Sequence, residues 1–382
     1  VSKMSRARTF ADLATASESN SLSKRNMIDN GNFAVNQKTS TITCAANSSV
    51  GTTLDRWEID STATDQLSVE ISQSDDVPTE LGEGYSIKYQ TKTVESATVA
   101  SDEIVRLIHY IEAQDCQRLG YGTSGTKTAT LSFYVKSSIA GTFSFIIYAD
   151  DGADIIGSTY TINSADTWER KTLTFVGNNL GTIANDTGIG LYLQWNIAAG
   201  SNFTGGDNST WKAYAANLLA SGHTQSTHMT VDESTFQLAG CQFELGEVAT
   251  PFEHINFSDN LAKCQRYYCK STPYGTAPGH GADGTTNCVS IDMASNLMRT
   301  DRFFFPRSMR AAPTVTCHAQ SGVSGSGTGQ WAGYISSTWT HFTFSGGNNT
   351  TEGFCGSAGS TAGSQDGYAY WTHANWEANA EL

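Results

Sequence analysis

The clearest pattern of apolar and polar residues lies between Phe236 and His254. Apolar residues alternate with others from Phe236 onward, and the alternation changes phase at Gly240 before it continues to Leu245. Alternation with a period of two is typical of a β-strand, and a phase change at a glycine is typical of a β-bulge. Proline has no N–H for a strand ladder, so the strand must end before Pro251. The sequence before Phe236 predicts several short strands, and we expect this segment to be the strand that completes them.

Other segments of the N-terminal part also show strand patterns. Tyr85–Tyr89 alternates with polar neighbours, as a half-buried antiparallel strand does, and Phe143–Tyr148 is apolar on both faces, which predicts a central strand. Ile104–Ile111 has apolar residues at helical spacing, but its β-branched composition favours a strand, followed by a loop or helical turn at Gln114–Leu119. The remaining predicted strands of this part are Leu67–Ile71, Thr128–Val135, Thr172–Val176, Ile189–Trp195 and Met229–Leu238.

The pattern changes after His254. Asp259 can cap a short helix, and strand patterns return at Val289–Met293, Arg302–Phe305 and Thr314–His318. We therefore expect an all-β protein in which residues 27–257 form an antiparallel β-sandwich and residues 258–382 form a smaller β-rich domain. Residues 1–26 precede the sandwich as a separate segment.

That N-terminal segment predicts a short amphipathic helix. Phe10, Leu13 and Ala14 lie on one side of it. Three apolar positions cannot hold an isolated helix together in water, so the segment either docks on a subunit or partner or forms a frayed terminus.

Composition limits the classes of function. The 382 residues include 23 basic and 37 acidic side chains, a formal charge of −14. A nucleic-acid-binding protein needs a basic face, so we expect no nucleic-acid partner. No apolar run reaches the roughly 20 residues of a membrane span, and the basic N-terminal residues lack the apolar core of a signal peptide. Neither membrane insertion nor secretion by a signal peptide is expected.

Candidate metal and catalytic residues are scattered. Eight cysteines without a Cys-x-x-Cys pair favour structural thiols over zinc or disulfides. His223 and His228 are expected to be exposed loop histidines rather than metal ligands. We expect no cofactor, although a structural calcium ion remains possible near Asp150–Asp154 or Asp232–Glu233.

No carboxylate pair stands out as a catalytic acid and base. Asp150 with Asp151 is explained as a solvated turn, and Glu244 with Glu247 as polar residues at a strand end. The expectation is therefore a protein that is not an enzyme.

The C-terminal part is rich in aromatic residues between glycine-rich loops. Indole and phenol rings can stack on the C–H faces of sugars, which makes Trp331, Tyr334 and Trp339 candidates for glycan binding. The same rings are also the largest apolar groups available for the core or for a subunit interface. Both roles stay open at this point.

Several short motifs, in order along the chain, resemble those of phage tail fibres and related virion structural proteins with a jelly-roll carbohydrate-binding-like module. These motifs are Asn30-Gly31-Asn32-Phe33, Asp55-Arg56-Trp57, Leu131–Lys136, Thr167-Trp168, Gln242–His254, Cys264–Tyr268 and Phe305–Val315. The resemblance implies a jelly-roll-like sandwich. It also implies a virion protein that is located on the tail and assembled in the host cytoplasm. It gives no catalytic residue.

The leading hypothesis is a tail fibre or fibre-like component that recognises a host cell-surface glycan. The resemblance also implies a homotrimer, and other tail or capsid proteins as partners for the Phe10, Leu13 and Ala14 segment. One alternative is a capsid decoration or tail-assembly protein without receptor binding. A polysaccharide depolymerase is the weaker alternative, because it would need an acidic pair along an open groove.

Overall fold

A computed structural model describes residues 24–38, 41–44, 54–63, 67–95, 99–224, 227–278, 286–293, 297–318, 329–335, 338–347, 349–359 and 369–382. The described residues fall into two compact units. Unit 1 comprises those within Val1–Ala34, Thr41–Gly51 and Trp57–Ile255, and unit 2 those within Val35–Ser40, Thr52–Arg56 and Asn256–Leu382. The division after Ile255 lies close to the expected one, and unit 2 also takes two short segments from the early part of the chain.

Unit 1 forms two antiparallel six-stranded sheets from its described residues. Its strands are β1 (Thr41–Cys44), β2 (Trp57–Ser61), β3 (Ser68–Ser74), β4 (Ser86–Thr93), β5 (Ile104–Glu112), β6 (Ala129–Ser137), β7 (Gly141–Ala149), β8 (Asp154–Ile162), β9 (Glu169–Phe175), β10 (Ile189–Ala199), β11 (Lys212–Ala213) and β12 (Thr235–Leu245). The first sheet has the order β1-β3-β4-β12-β6-β9, and the second β11-β8-β7-β10-β5-β2. The expected all-β sandwich is confirmed.

Aromatic rings from both sheets fill the space between them. The ring of Trp195 on β10 lies 5.9 Å from that of Phe133 on β6, and it also lies 4.7 Å from Phe145 and 5.2 Å from Trp57. All four side chains are fully buried. Rings of this size remove large apolar areas from water, so this layer is the main source of the stability of unit 1.

β12 lies in the middle of the first sheet and contains the bulge that its sequence predicts. Its pairing with β6 slips between Ala239 and Gln242, and Gly240 between them has a φ of +54°. This left-handed conformation favours glycine. β12 begins at Thr235, later than the expected start, because Thr227–Met229 form a 3₁₀ turn instead of strand.

The residues that follow β12 are tied back to it by hydrogen bonds. Thr250 donates from its backbone N–H (2.8 Å) and its hydroxyl (2.7 Å) to the buried carboxylate of Glu244. Glu253 donates its N–H to Gln242 (2.7 Å) and accepts the N–H of Asn26 (2.9 Å). The Gln-Phe-Glu and Ala-Thr-Pro-Phe-Glu parts of the motif are thus partners in one local structure, which agrees with a structural role for Glu244.

The short helices agree in part with the sequence expectations. The segment Ile104–Ile111, which has apolar residues at helical spacing, is part of strand β5, as expected. The residues after it, Ala113–Leu119, form a 3₁₀ helix, also as expected. Two α-helices lie in the described residues, α1 (Ser201–Thr204) and α2 (Phe257–Cys264). The cap of α2 was predicted wrongly: Asn256 caps it by accepting the N–H of Asp259 at 2.9 Å. No described helix is long and apolar enough to cross a membrane.

Unit 2 is built from antiparallel strands that close into a ring. Its described strands are β13 (Tyr268–Lys270), β14 (Thr286–Met293), β15 (Leu297–Phe304), β16 (Thr314–His318), β17 (Gln330–Ile335), β18 (Thr338–Gly347), β19 (Gly353–Gly359) and β20 (Ala369–Asn379). The order β20-β14-β15-β19-β18-β17 returns to β20, because β17 pairs with β20 as well. The C-terminal half of β20 pairs with β13 and β16 instead.

A buried ion pair in unit 2 explains why the segment before β2 belongs there. The Arg56 guanidinium lies 3.4 Å from the ring centroid of Tyr267 and donates to Glu381 at 2.8 Å. Asp55 is buried and accepts two hydrogen bonds from Gln37. Burial raises the pKa of Asp55 above its usual value, against these hydrogen bonds. Asp55 and Arg56 of the Asp-Arg-Trp motif therefore belong to the interior of unit 2, where Arg56 contacts Tyr267 of the Cys264–Tyr268 motif.

The six cysteines whose side chains the structure describes form no disulfide with one another, and five of them are buried. This agrees with structural thiols, since buried cysteine packs as a small apolar residue.

Candidate functional site

The C-terminal aromatic residues do not form an exposed patch in the described structure. Trp331 is only 5% exposed and packs in the core of unit 2, with its ring 5.8 Å from that of Phe303. A side chain at Gly356 would reach within 2.5 Å of the indole. Of the two roles left open for Trp331, its burial favours the core role. Tyr334 is 45% exposed.

The other four candidate side chains lie outside the described residues. Trp339 pairs with Tyr334 across β17 and β18, but its side chain lies outside the described residues. Phe10, Leu13 and Ala14 also lie outside the described residues, so their docking role stays a prediction.

The two histidines expected on exposed loops are buried in unit 1. His228 is fully buried, with Ser137 Oγ 2.9 Å from its Nε2 and Ser234 Oγ 3.2 Å from its Nδ1. Burial lowers the pKa of His228 to about 3, so the ring is neutral near pH 7. His223 accepts the N–H of Ser144 at 3.0 Å. Among the described residues no three His, Cys, Asp or Glu side chains are placed to hold a metal ion.

The second sheet of unit 1 has an aromatic row on its outward side. Trp57 and Leu193 both pair with His109 and point inward, since Trp57 belongs to the core. The neighbouring positions must point outward, because successive side chains of a strand alternate between faces. Tyr110 and Tyr148 both pair with Tyr192 at these positions.

Four tyrosines thus form a continuous row across the strands, which we name the tyrosine row: Tyr110, Tyr192, Tyr148 and Tyr214. Neighbouring ring centroids lie 4.9, 5.2 and 5.5 Å apart in that order. Tyr110 is nearly buried, Tyr192 and Tyr148 are half-buried, and Tyr214 is exposed. The rings meet edge to face, with angles of 71°, 66° and 69°, which fixes their orientation.

Polar side chains lie beside the row on the same outward side. Asp60 is the cross-strand partner of Arg106 and accepts from its Nε at 2.7 Å, and Nη2 lies 2.7 Å from the same carboxylate oxygen. The remaining guanidinium nitrogen, Nη1, donates to Gln194 at 2.9 Å. We name Asp60, Arg106, Gln194 and Glu58 the polar patch, and the row and patch together the tyrosine face.

Carboxylates lie beside two tyrosines of the row. Tyr110 donates to Glu58 at 3.0 Å. Asp150, in the turn after β7, lies beside Tyr192, because its backbone N–H donates to the carbonyl of Gly190 at 3.2 Å. Burial and the nearby carboxylates raise the pKa of Tyr110 well above its usual value and that of Tyr192 to about 12. Both rings therefore keep their hydroxyl proton at neutral pH.

One side of the face is covered by the segment between β10 and β12. Leu218, Leu219 and Ala220 pack with Ile104 and Ile146 in an apolar cluster on the outward side of the sheet. Asn196 donates to the carbonyl of Leu219 at 2.8 Å and so fixes this segment. This segment therefore borders the tyrosine row at Tyr148, which packs partly against the apolar cluster.

A groove of about 710 Å³ also exists in unit 2, beside α2. Its lining combines cations, carboxylates and apolar groups: Asp259, Ala262, Lys263, Arg266, Phe305, Pro306, Arg307, Ser308 and Glu352. Because both cations and carboxylates line this groove, its charge favours no class of ligand.

Sequence reasoning did not find the tyrosine face. Tyr110, Tyr148 and Tyr192 lie far apart in the chain, and only the strand register brings them together. A signal was present, since each of these tyrosines lies in or beside a predicted strand. The parity of those strands was hidden, however, because both of their faces are apolar.

No family model and no curated protein matches the chain. Solved structures with partial similarity include the enzymatically active domain of bacteriophage CBA120 tailspike protein 4, at 14% identity and a TM-score of 0.30, covering 50% of this chain and 19% of that one. The family 11 carbohydrate-binding module of the Clostridium thermocellum cellulase Lic26A-Cel5E has 10% identity and a TM-score of 0.27, covering 56% of this chain and 98% of the module.

A putative sugar binding protein from Bacteroides thetaiotaomicron has 13% identity and a TM-score of 0.30, covering 58% of this chain and all (100%) of that one. Scores this low leave the functional assignment to the geometry of the tyrosine face.

Proposed function

We propose that this protein is a glycan-binding component of a phage virion, a tail fibre or fibre-like protein that attaches to a host-surface polysaccharide through the tyrosine face. The observation that carries the glycan-binding part is the row of partly open tyrosine rings beside a fixed set of hydrogen-bonding groups. The virion setting and the host surface rest on the motif resemblance alone.

The chemistry of the face suits sugars for two reasons. The C–H faces of pyranose rings pack on aromatic rings, and the edge-to-face contacts hold these rings in place before the ligand arrives. Sugar hydroxyls need donors and acceptors in fixed positions, and Asp60, Arg106 and Gln194 hold one another in such positions. Groups ordered in advance lose little conformational entropy on binding.

A single face of this size gives weak binding, and several copies give useful avidity. A homotrimer would supply three faces, and this assembly is part of the proposal. Light scattering coupled to size-exclusion chromatography is expected to give the mass of three chains, and a monomer at micromolar concentration would contradict it.

The test of glycan binding is an array of immobilised bacterial surface polysaccharides and neutral oligosaccharides, probed with the labelled protein. Tyr192→Ala is expected to weaken binding at least ~10-fold, because Tyr192 is an inner ring of the row and contacts both Tyr110 and Tyr148. Tyr85→Ala is the matched control, since Tyr85 is a 41% exposed tyrosine of unit 1 that belongs to neither row nor patch. Equal loss in both variants, or no binding by the wild type, would contradict the proposal.

The virion part has its own test. Particles purified after infection are expected to contain the full chain, and immunogold labelling is expected to place it on the tail. Removal of residues 1–25 should reduce its incorporation without unfolding the rest. Labelling over the capsid would favour the decoration-protein alternative, and normal incorporation would place the docking segment elsewhere.

We also propose that the protein does not degrade its glycan. Asp60 accepts from Arg106 and Glu58 accepts from Tyr110, so both carboxylates of the polar patch already have partners and neither is set aside as a proton donor to a glycosidic bond. Incubation with a bound polysaccharide is expected to release no reducing ends. Release that is lost on neutralising Asp60 or Glu58 would overturn this part.

A further inference from the structure

Carboxylates border two neighbouring rings of the tyrosine row. Tyr110 and Tyr192 have ring centroids 4.9 Å apart, and the Tyr110 hydroxyl donates to Glu58. Asp150 lies beside Tyr192, because its backbone N–H donates to the carbonyl of Gly190 at 3.2 Å. A sugar that packs on the half-buried Tyr192 ring therefore lies close to Asp150 and to the Glu58 carboxylate at the neighbouring ring. Glu58 follows from the register as well, since it is the cross-strand partner of Ile108 on the outward side.

The cations on the outward strand positions of this sheet are held by other carboxylates. Arg106 directs Nε and Nη2 to Asp60 and Nη1 to Gln194. Lys212, opposite Ile155 in the register, is paired with Asp207 at 3.0 Å. An anionic ligand would have to break one of these pairs to gain a cation of its own.

The chemistry of the available acceptors has a direct consequence for the ligand. An ionised carboxylate can only accept hydrogen bonds, so Glu58 and Asp150 are satisfied by hydroxyl or ammonium donors of a ligand and not by its carboxylate or phosphate oxygens. The negative charges of Glu58 and Asp150 also repel an anionic ligand group bound beside them. Salt screens this repulsion only in part near a protein surface.

Resting on the proposed function, we infer that the tyrosine face selects glycans without anionic groups, which are neutral or amino-sugar polysaccharides, and discriminates against glycans that contain uronate, sialate or phosphate groups. Glu58 and Asp150 are the residues that set this selection. These two carboxylates discriminate between ligands by charge, whereas the rings of the tyrosine row discriminate by shape.

The experiment compares one glycan in two chemical forms. A neutral polysaccharide that binds in the array is oxidised at its primary hydroxyls to the uronate, so that the sugar ring and linkage stay the same. Affinity for both forms is measured by titration calorimetry in ~20 mM and ~300 mM salt. The wild type is expected to bind the neutral form at least ~10-fold more tightly in low salt, and the ratio should fall in high salt.

The variant Glu58→Gln/Asp150→Asn is expected to reduce the ratio of the two affinities at least ~5-fold. Glu70→Gln/Asp75→Asn is the matched control, because it removes the same two charges from other positions of unit 1 and is expected to leave the ratio as it is.

The outcomes separate the inference from the proposed function. A wild-type ratio near one, or an equal change of the ratio in both double variants, would overturn the inference while Tyr192-dependent binding still supports the proposed function. Absence of binding to every neutral and acidic glycan would overturn the proposed function itself, and the inference with it.

Discussion

Among the described residues, each unit contains an arginine–carboxylate pair beside a tyrosine ring, and the two pairs differ in their access to water. In unit 2 the side chains of Arg56 and Glu381 are 1% and 9% exposed. In unit 1 the side chains of Arg106 and Asp60 are 18% and 16% exposed. The residue types are similar, but the first pair is enclosed by its own unit and the second lies on an open face.

The difference teaches that solvent access, rather than residue type, separates a stabilising cluster from a binding surface. A buried charge has no water to replace a lost partner, so its pair is essential for folding. An accessible pair can exchange water for a ligand. The same distinction applies to the aromatic residues, since Trp331 packs in a core and Tyr192 lies in an open row.

A large effect is expected at the buried pair. Arg56→Ala should lower the free energy of unfolding by about 3 kcal/mol, because it leaves Glu381 with only the more distant Lys38, at 3.8 Å, and Tyr267 without the guanidinium on its ring. Urea denaturation followed by tryptophan fluorescence measures the change. A double-mutant cycle with Glu381→Gln should give a coupling above about 1 kcal/mol, and a coupling near zero would contradict the role of this pair.

Removal of the buried indole should have a similar effect. Trp331→Ala is expected to cost about 3–5 kcal/mol of stability, since it opens a cavity against Phe303 and Gly356. Glycan binding by the protein that remains folded should be unchanged. Tyr334→Ala is the matched control on the same strand and should change stability little. Selective loss of binding with an unchanged melting temperature would return Trp331 to the glycan-binding candidates.

A pH titration tests the enclosed imidazole. His228 is neutral in the folded state with a pKa of about 3, whereas an unfolded histidine has a pKa near 6.5. The unfolded state therefore binds the proton first as pH falls, and stability must decrease below about pH 6.5. The expected slope approaches about 1.4 kcal/mol per pH unit between roughly pH 6 and 5.

This window lies above the range in which most carboxylates titrate. The variant His228→Gln should lose the slope, although it is less stable than the wild type at pH 7. A slope that persists in the variant would assign the effect to other groups.

The smallest stability effect is expected at the open pair. Arg106→Ala should change the free energy of unfolding by no more than about 1 kcal/mol, because partly exposed ion pairs contribute little. Glycan affinity should nevertheless fall several-fold, since Asp60 and Gln194 lose the group that orients them. Scanning calorimetry measures the stability, and titration calorimetry measures the glycan affinity. A large stability loss without a change in affinity would give Arg106 the same structural role as Arg56.

Much of the fold could be predicted because period-two alternation is a local property. Most of the longer strands of unit 1, the bulge at Gly240 and the helical turn after β5 follow from neighbouring residues. The short strands β1, β2 and β11 were not predicted. β8 was not predicted either, because Gly157, Ser158 and Thr159 interrupt its apolar pattern. The helix cap moved from Asp259 to Asn256, since both residue types can cap and only the backbone geometry chooses between them.

The candidate site was harder to predict because it depends on register and enclosure. His223 and His228 were expected to be exposed, since their neighbours are polar. In the structure Ser137, Ser144 and Ser234 are near enough to satisfy the buried rings. Polar neighbours in the sequence therefore indicate either water or a buried hydrogen-bond partner, and only the three-dimensional structure distinguishes them.

The two segments that unit 2 takes from the early part of the chain limit how this protein can evolve. Gln37, Asp55 and Arg56 are encoded about 200 residues or more before Tyr268, Tyr267 and Glu381, their partners in the same interior. A recombination event that replaced only the sequence after Ile255 would leave these residues facing an unmatched interior. A new C-terminal unit can therefore be acquired only if it retains partners for Arg56 and Gln37, or if the early segments are exchanged together with it.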